Sequence, residues 1–116
     1  MDNDIEFLKL NGVDVDGCME RFCGNKDLYF KFVRKFSSDT NFEDCKASMD
    51  KKDYAAAFRF AHNLKGVSGN LGLSKLYSDT CVVVEFLRAN KNEEAVKAFP
   101  QLEQTYKIFV EVLSKI

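Results

Sequence analysis

Apolar residues return at intervals of three and four along nearly the whole chain, and proline occurs once, at Pro100. That spacing gathers them on one side of an α-helix, and no stretch alternates with the period of two that a half-buried strand needs. The pattern specifies an all-α protein. At 116 residues the chain is long enough for one core and too short for two, so residues 1–116 are expected to form a single domain.

The helices can be placed by their start and stop signals. Residues 1–11, with Ile5, Phe7, Leu8 and Leu10, read as an arm or a short N-terminal helix that breaks at Asn11-Gly12. Asp14 or Asp16 caps a short helix reaching about Phe22, with Gly24 as its left-handed stop. Asn25 or Asp27 opens the next helix, with Leu28, Phe32, Val33 and Phe36 on one side and Tyr29 and Phe30 extending the apolar surface. Residues 37–41 mark a kink or a fresh cap before Phe42, Cys45 and Met49 resume the helical spacing.

Asp53 caps a central helix from Tyr54 to about Leu71, Gly72 ends it, and Ser74 begins another that runs to Asn90 with Leu76, Tyr77, Thr80, Val83, Val84 and Leu87 inward. After Lys91-Asn92, Glu93 and Glu94 suit a helix start. Ala95, Phe99, Leu102, Tyr106, Phe109, Val110 and Leu113 then carry the last core stripe, with a kink expected at Pro100. Four long helices joined by short polar turns give an up-down-up-down four-helix bundle with a short additional N-terminal helix.

The stretch from Phe58 to Gly72 contains the only histidine. Wound at about 100° per residue, it places Phe60, Leu64, Val67 and Leu71 on one side, with Ala57 beside them. His62, Lys65, Gly66 and Gly69 fall on the other, since residues three, four and seven apart share a face. Glycine inside a helix costs about 1 kcal/mol relative to alanine, so two on the face of a titratable nucleophile need a reason. A neighbouring helix packed against them would also bury Lys65, and an unpaired lysine is almost never fully buried. The favoured reading is a bare patch that lets another molecule's backbone reach the imidazole. Phe58 projects about 40° from His62 on the wheel and reads as an exposed docking anchor. Arg59 lies on the other flank, Asn70 borders the face, and Ser68 turns toward the buried side.

Other features exclude whole classes of function. Seventeen Lys and Arg against 18 Asp and Glu leave no basic excess for nucleic acid. No apolar run approaches a membrane span, and the start Met1-Asp2-Asn3-Asp4 is polar and acidic, so a cytoplasmic protein is expected. Cys18, Cys23, Cys45 and Cys81 lack zinc-knuckle spacing and are expected as small buried hydrophobes, with no metal site. No glycine-rich nucleotide loop is present, so the chain is not expected to phosphorylate itself from ATP.

His62-Asn63-Leu64-Lys65-Gly66, followed by Ser68, Asn70-Leu71-Gly72, Cys81 and Glu85, resembles the signature of histidine-containing phosphotransfer (HPt) domains. The run from Gly12 through Asn25 to Leu28-Tyr29 is similar to what precedes the first long helix of that family, so the resemblance extends over residues 11–116. It implies a phosphocarrier rather than an enzyme: His62 takes a phosphoryl group from a receiver-domain aspartate and passes it to another, with Lys65 supporting the phosphoryl oxygens. It implies response-regulator receiver domains and a hybrid sensor histidine kinase as partners, no cofactor of its own, and Mg²⁺ held by the partner. Gly66, Gly69, Phe58, Arg59 and Asn70 are the expected partner contacts, and Glu85 is read as structural. A monomer is expected, because the one active face must stay free. The rival readings are a helical adaptor that binds a receiver or kinase without accepting phosphate, and a metal- or haem-binding bundle whose ligands this sequence does not supply.

Overall fold

A computed structural model describes residues 2–116, Asp2 for its backbone only; Met1, which heads the polar start, lies outside the described residues. The chain forms α1 (Asp2–Leu10), α2 (Val15–Arg21), α3 (Lys26–Lys35), a 3-10 turn (Phe36–Ser38), α4 (Asn41–Asp50), α5 (Tyr54–Asn70), α6 (Ser74–Arg88) and α7 (Asn92–Leu113). Side chains define the starts of three helices: Asp14, Asn25 and Asp53 accept from the backbone N–H of Gly17, Leu28 and Ala56. Gly24 and Gly72 take positive φ after α2 and α5 (76° in both), where a side chain would be strained.

Helices α4 to α7 make the four-helix bundle, each packed against the next through a three-residue turn. No turn joins α4 to α7, so side chains close that seam. The Phe42 ring stacks on Tyr106 (centroids 4.1 Å apart) and on Phe99 (5.5 Å). Around the stack, Lys46 Nζ donates to Glu103 at 2.6 Å and Tyr106 Oη to Glu43 at 3.2 Å.

The three N-terminal helices pack over the turn between α5 and α6. Leu8 of α1 is fully buried, Val13 forms a single antiparallel bridge with Leu73, and the Asp14 N–H donates to the Gly72 carbonyl at 2.8 Å. The approach is so close that a Cβ on Gly72 would lie 2.7 Å from both the Asp14 carbonyl oxygen and Cys18 Sγ.

Several inward faces differ from those read in the sequence. In α3 the buried set is Tyr29, Phe30 and Val33, while Leu28 and Phe32 are exposed. In α5 the small residues Ala57 and Ala61, with Leu64 and Ser68, are buried, and Phe60 and Val67 flank them half-buried. Close helix approach selects small side chains at the centre of the contact and leaves larger ones along its edges. Tyr77 of α6 turns outward, and that helix ends at Arg88. Pro100 lies on the exposed side of α7, which runs unbroken from Asn92 to Leu113. Cys18 and Cys45 are buried, and burial pushes both thiols up, that of Cys45 to about 12. Cys23 is exposed and Cys81 half-buried, so only half of the cysteines act as buried hydrophobes.

Asp79 is the one charged residue buried among the described residues. Its carboxylate joins α6 to α7, accepting from Thr105 Oγ1 at 2.6 Å, Lys75 Nζ at 3.0 Å and Gln101 Nε2 at 3.4 Å. Burial pushes this carboxyl up, but those hydrogen bonds and the Lys75 charge outweigh it and hold the group below the ordinary carboxylate value. The ionised form is therefore stabilised by folding. Its contribution is full above the unfolded-state pKa and fades as pH falls through the folded one. Asp79→Asn is expected to cost about 1–3 kcal/mol in urea unfolding at pH 7. It should also remove part of the loss of stability on acidification below about pH 4; equal acid sensitivity in both proteins would exclude this role.

Candidate functional site

The solvent side of α5 carries no acidic residue between Tyr54 and Asn70. His62 is exposed near its middle, so the backbone beneath the ring is fixed by hydrogen bonds on both sides along the helix. One turn before it, the Phe58 ring lies tilted with its centroid 6.0 Å from the imidazole centroid. Lys65, one turn after it, is half-buried and has no ion pair among the described residues. Side chains three apart on a helix are neighbours, which leaves the ammonium free to follow a group bound to the ring.

The two glycines of this face have different surroundings. A Cβ on Gly66 would meet nothing within 4 Å, so the space next to the imidazole is open. A Cβ on Gly69 would lie 3.1 and 3.2 Å from ring carbons of Tyr77 on α6, so Gly69 is not bare: it seats an aromatic ring. Sequence alone cannot separate these cases, since the ring comes from another helix.

The remaining expected contacts spread around this centre. Phe58 is half-buried against the core rather than projecting freely, and the Arg88 guanidinium lies over its ring at 5.2 Å. Arg59 is exposed, its guanidinium 5.8 Å from the Phe60 ring centre. Asn70 is exposed two turns beyond His62, and its carbonyl accepts from Arg21 at 3.4 Å and from the Cys18 thiol at 3.5 Å. Glu85 accepts a long bond from Arg88 Nε at 3.4 Å on the surface of α6. Arg88 was not singled out by sequence; only the antiparallel pairing of α6 with α5 brings it to Phe58. The apolar edge of α5 at Val67 and Leu71 borders a groove of about 400 Å³ between α3 and the end of α5, lined also by Phe22, Phe32, Phe36, Arg21, Lys35 and Asp39.

An exposed imidazole with a mobile cation one turn away and open space beside it suits attack on a group presented by another macromolecule. Among the described residues no three His, Cys, Asp or Glu side chains gather to hold a metal ion. No helix among them is long and apolar enough to cross a membrane.

The family model described as Hpt domain matches residues 35–110, well over half of the chain, and the protein belongs to that family. Hpt domains are phosphocarriers of histidine phosphotransfer in phosphorelays, working with receiver domains and kinases. No curated protein and no solved structure matches the chain significantly.

The contrast between the glycines is directly measurable. Gly66→Ala adds a methyl group in open space and is expected to stabilise the helix by about 0.5–1 kcal/mol. Gly69→Ala meets the Tyr77 ring and should gain clearly less or lose stability. Equal rises in the urea midpoint would show that Tyr77 does not constrain Gly69.

Proposed function

We propose that this protein is a histidine phosphocarrier that takes a phosphoryl group from the aspartate of one receiver domain onto His62 and delivers it to the aspartate of another. The observation that carries this reading is the exposure of the chain's single imidazole beside an open glycine on a family-matched helix. The unprotonated ring nitrogen attacks the phosphorus of the aspartyl phosphate. The new N–P bond forms as the P–O bond breaks, and the aspartate leaves as a carboxylate with the electron pair. The other ring nitrogen keeps its proton. Delivery to the second receiver runs the same exchange in reverse, so no water or nucleotide is consumed.

Phosphoryl transfer rests mainly on positioning and on neutralising charge spread over three oxygens. The helix supplies position. Lys65 supplies a cation near the transferring group, and Arg88, with its guanidinium over Phe58, supplies another at the edge of the site. The chain contributes no nucleotide site and no metal; the divalent cation belongs to the receiver. We read the chain as one cytoplasmic domain acting as a monomer, fed by a hybrid kinase, with Gly66, Phe58, Arg59 and Asn70 within the area covered by the partner.

Incubation with receiver domains charged by acetyl phosphate is expected to label the protein with acid-labile, base-stable phosphate, and His62→Gln should abolish the label. A label surviving in that variant would refute His62 as the acceptor, and a wild-type protein that binds receivers without labelling would replace the carrier by the adaptor. Lys65→Ala should slow transfer by about tenfold to a hundredfold, the scale of one charge contact to a phosphoryl group, and leave thermal stability nearly unchanged. Single-turnover quench-flow with the same charged receiver measures the rate.

A further inference from the structure

The stripe that holds His62 has a ring at each end. Phe58 stands one turn before the imidazole, Gly66 leaves a gap one turn after it, and the Tyr77 ring covers the stripe at Gly69. From Phe58 to Gly69 is about 16 Å along the helix at about 1.5 Å per residue, room for one loop of a partner's backbone. The result is a notch with His62 inside it.

We propose that the Tyr77 ring is a partner contact, held on Gly69 as the far wall of this notch, and that the notch takes the acidic loop of a receiver domain that presents its phosphoaspartate. This deepens the phosphocarrier reading and rests on it. Three observations support it. First, Tyr77 is 40% exposed although its helix buries its neighbours Leu76 and Thr80 completely, so burial does not account for the ring. Second, the ring rests on main chain at a glycine rather than on a mobile side chain, and its hydroxyl has no hydrogen-bond partner among the described residues. An aromatic side chain fixed on one side and wet at its tip loses little entropy when a partner covers it, the property of interface anchors. Third, the surface around the notch presents Arg59, Lys65 and Arg88; of the carboxylates beside it, Glu85 is paired with Arg88 and Asp14, which lines the hollow next to Tyr77 and Gly69, accepts from the Gly17 N–H, so cations are in excess. Charge complementarity therefore selects an acidic partner.

The test is the dependence of phosphoryl transfer on the concentration of receiver, using isolated receiver domains charged with acetyl phosphate and the full chain. Tyr77→Ala is expected to raise KM about tenfold, the effect of losing one anchor. The rate at saturating receiver should persist, because His62 and Lys65 are untouched. Tyr77→Phe, which keeps the ring and its seat, should stay within about twofold. Tyr77→Glu should raise KM more steeply at low than at high salt, since it sets a carboxylate against an acidic partner. Thermal unfolding of each variant identifies loss of fold, which would lower the saturating rate as well. If the wild-type chain is not labelled by any charged receiver, the carrier reading fails and takes this inference with it. If the wild type is labelled and Tyr77→Ala keeps its KM, Tyr77 alone is excluded. A Phe variant as impaired as Ala would exclude the ring as the contact, and a salt-independent Glu variant would exclude the acidic partner.

Discussion

The C-terminus of α5 is where the molecule's architecture is decided. A helix leaves its last carbonyls without partners inside itself, and at a buried end each needs a donor from elsewhere. Here the donors come from the N-terminal segment. Arg21 donates to the carbonyls of Gly69 and Asn70, Cys18 to Asn70, Tyr29 to Leu71, and the Asp14 N–H to Gly72. A cation at that position also suits the negative end of the helix dipole. These donors precede residue 35, where the family match begins. Residues 14–29 thus complete the helix that carries His62, although they precede the residues that the family model matches.

Local signals were readable from the sequence because the interactions behind them span three or four residues. Asp14, Asn25 and Asp53 each accept a hydrogen bond three positions on, and Gly24 and Gly72 take the left-handed conformation that ends their helices. The rotation of a helix about its axis was harder to read. Phe60 and Val67 were expected inward on hydrophobicity, yet Ala57, Ala61 and Ser68 occupy the centre of the contact. Size decides there, and it depends on how close the neighbouring helices come. In α3 the rotation also differs, with Tyr29, Phe30 and Val33 inward and Leu28 and Phe32 outward.

The candidate site divides along the same line. His62, Lys65 and Gly66 lie within five residues, so a helical wheel is enough to group them. Arg88 and Tyr77 belong to α6 and meet α5 only through the antiparallel register of the two helices. Gly66 and Gly69 were indistinguishable in the sequence, and one faces open space while the other faces a ring. Phe58 was expected to project freely, yet it packs half-buried against the core, because the wheel describes one helix and cannot include the core beside it.

The seam between α4 and α7 differs from the other three contacts around the bundle, because the chain does not cross it. Phe42, stacked between Phe99 and Tyr106, joins its two sides with no covalent link, whereas α5 and α6 are tied by a turn and by the N-terminal clasp. The seam closed by side chains alone thus lies away from His62, whose own helix is joined by turns to both of its neighbours.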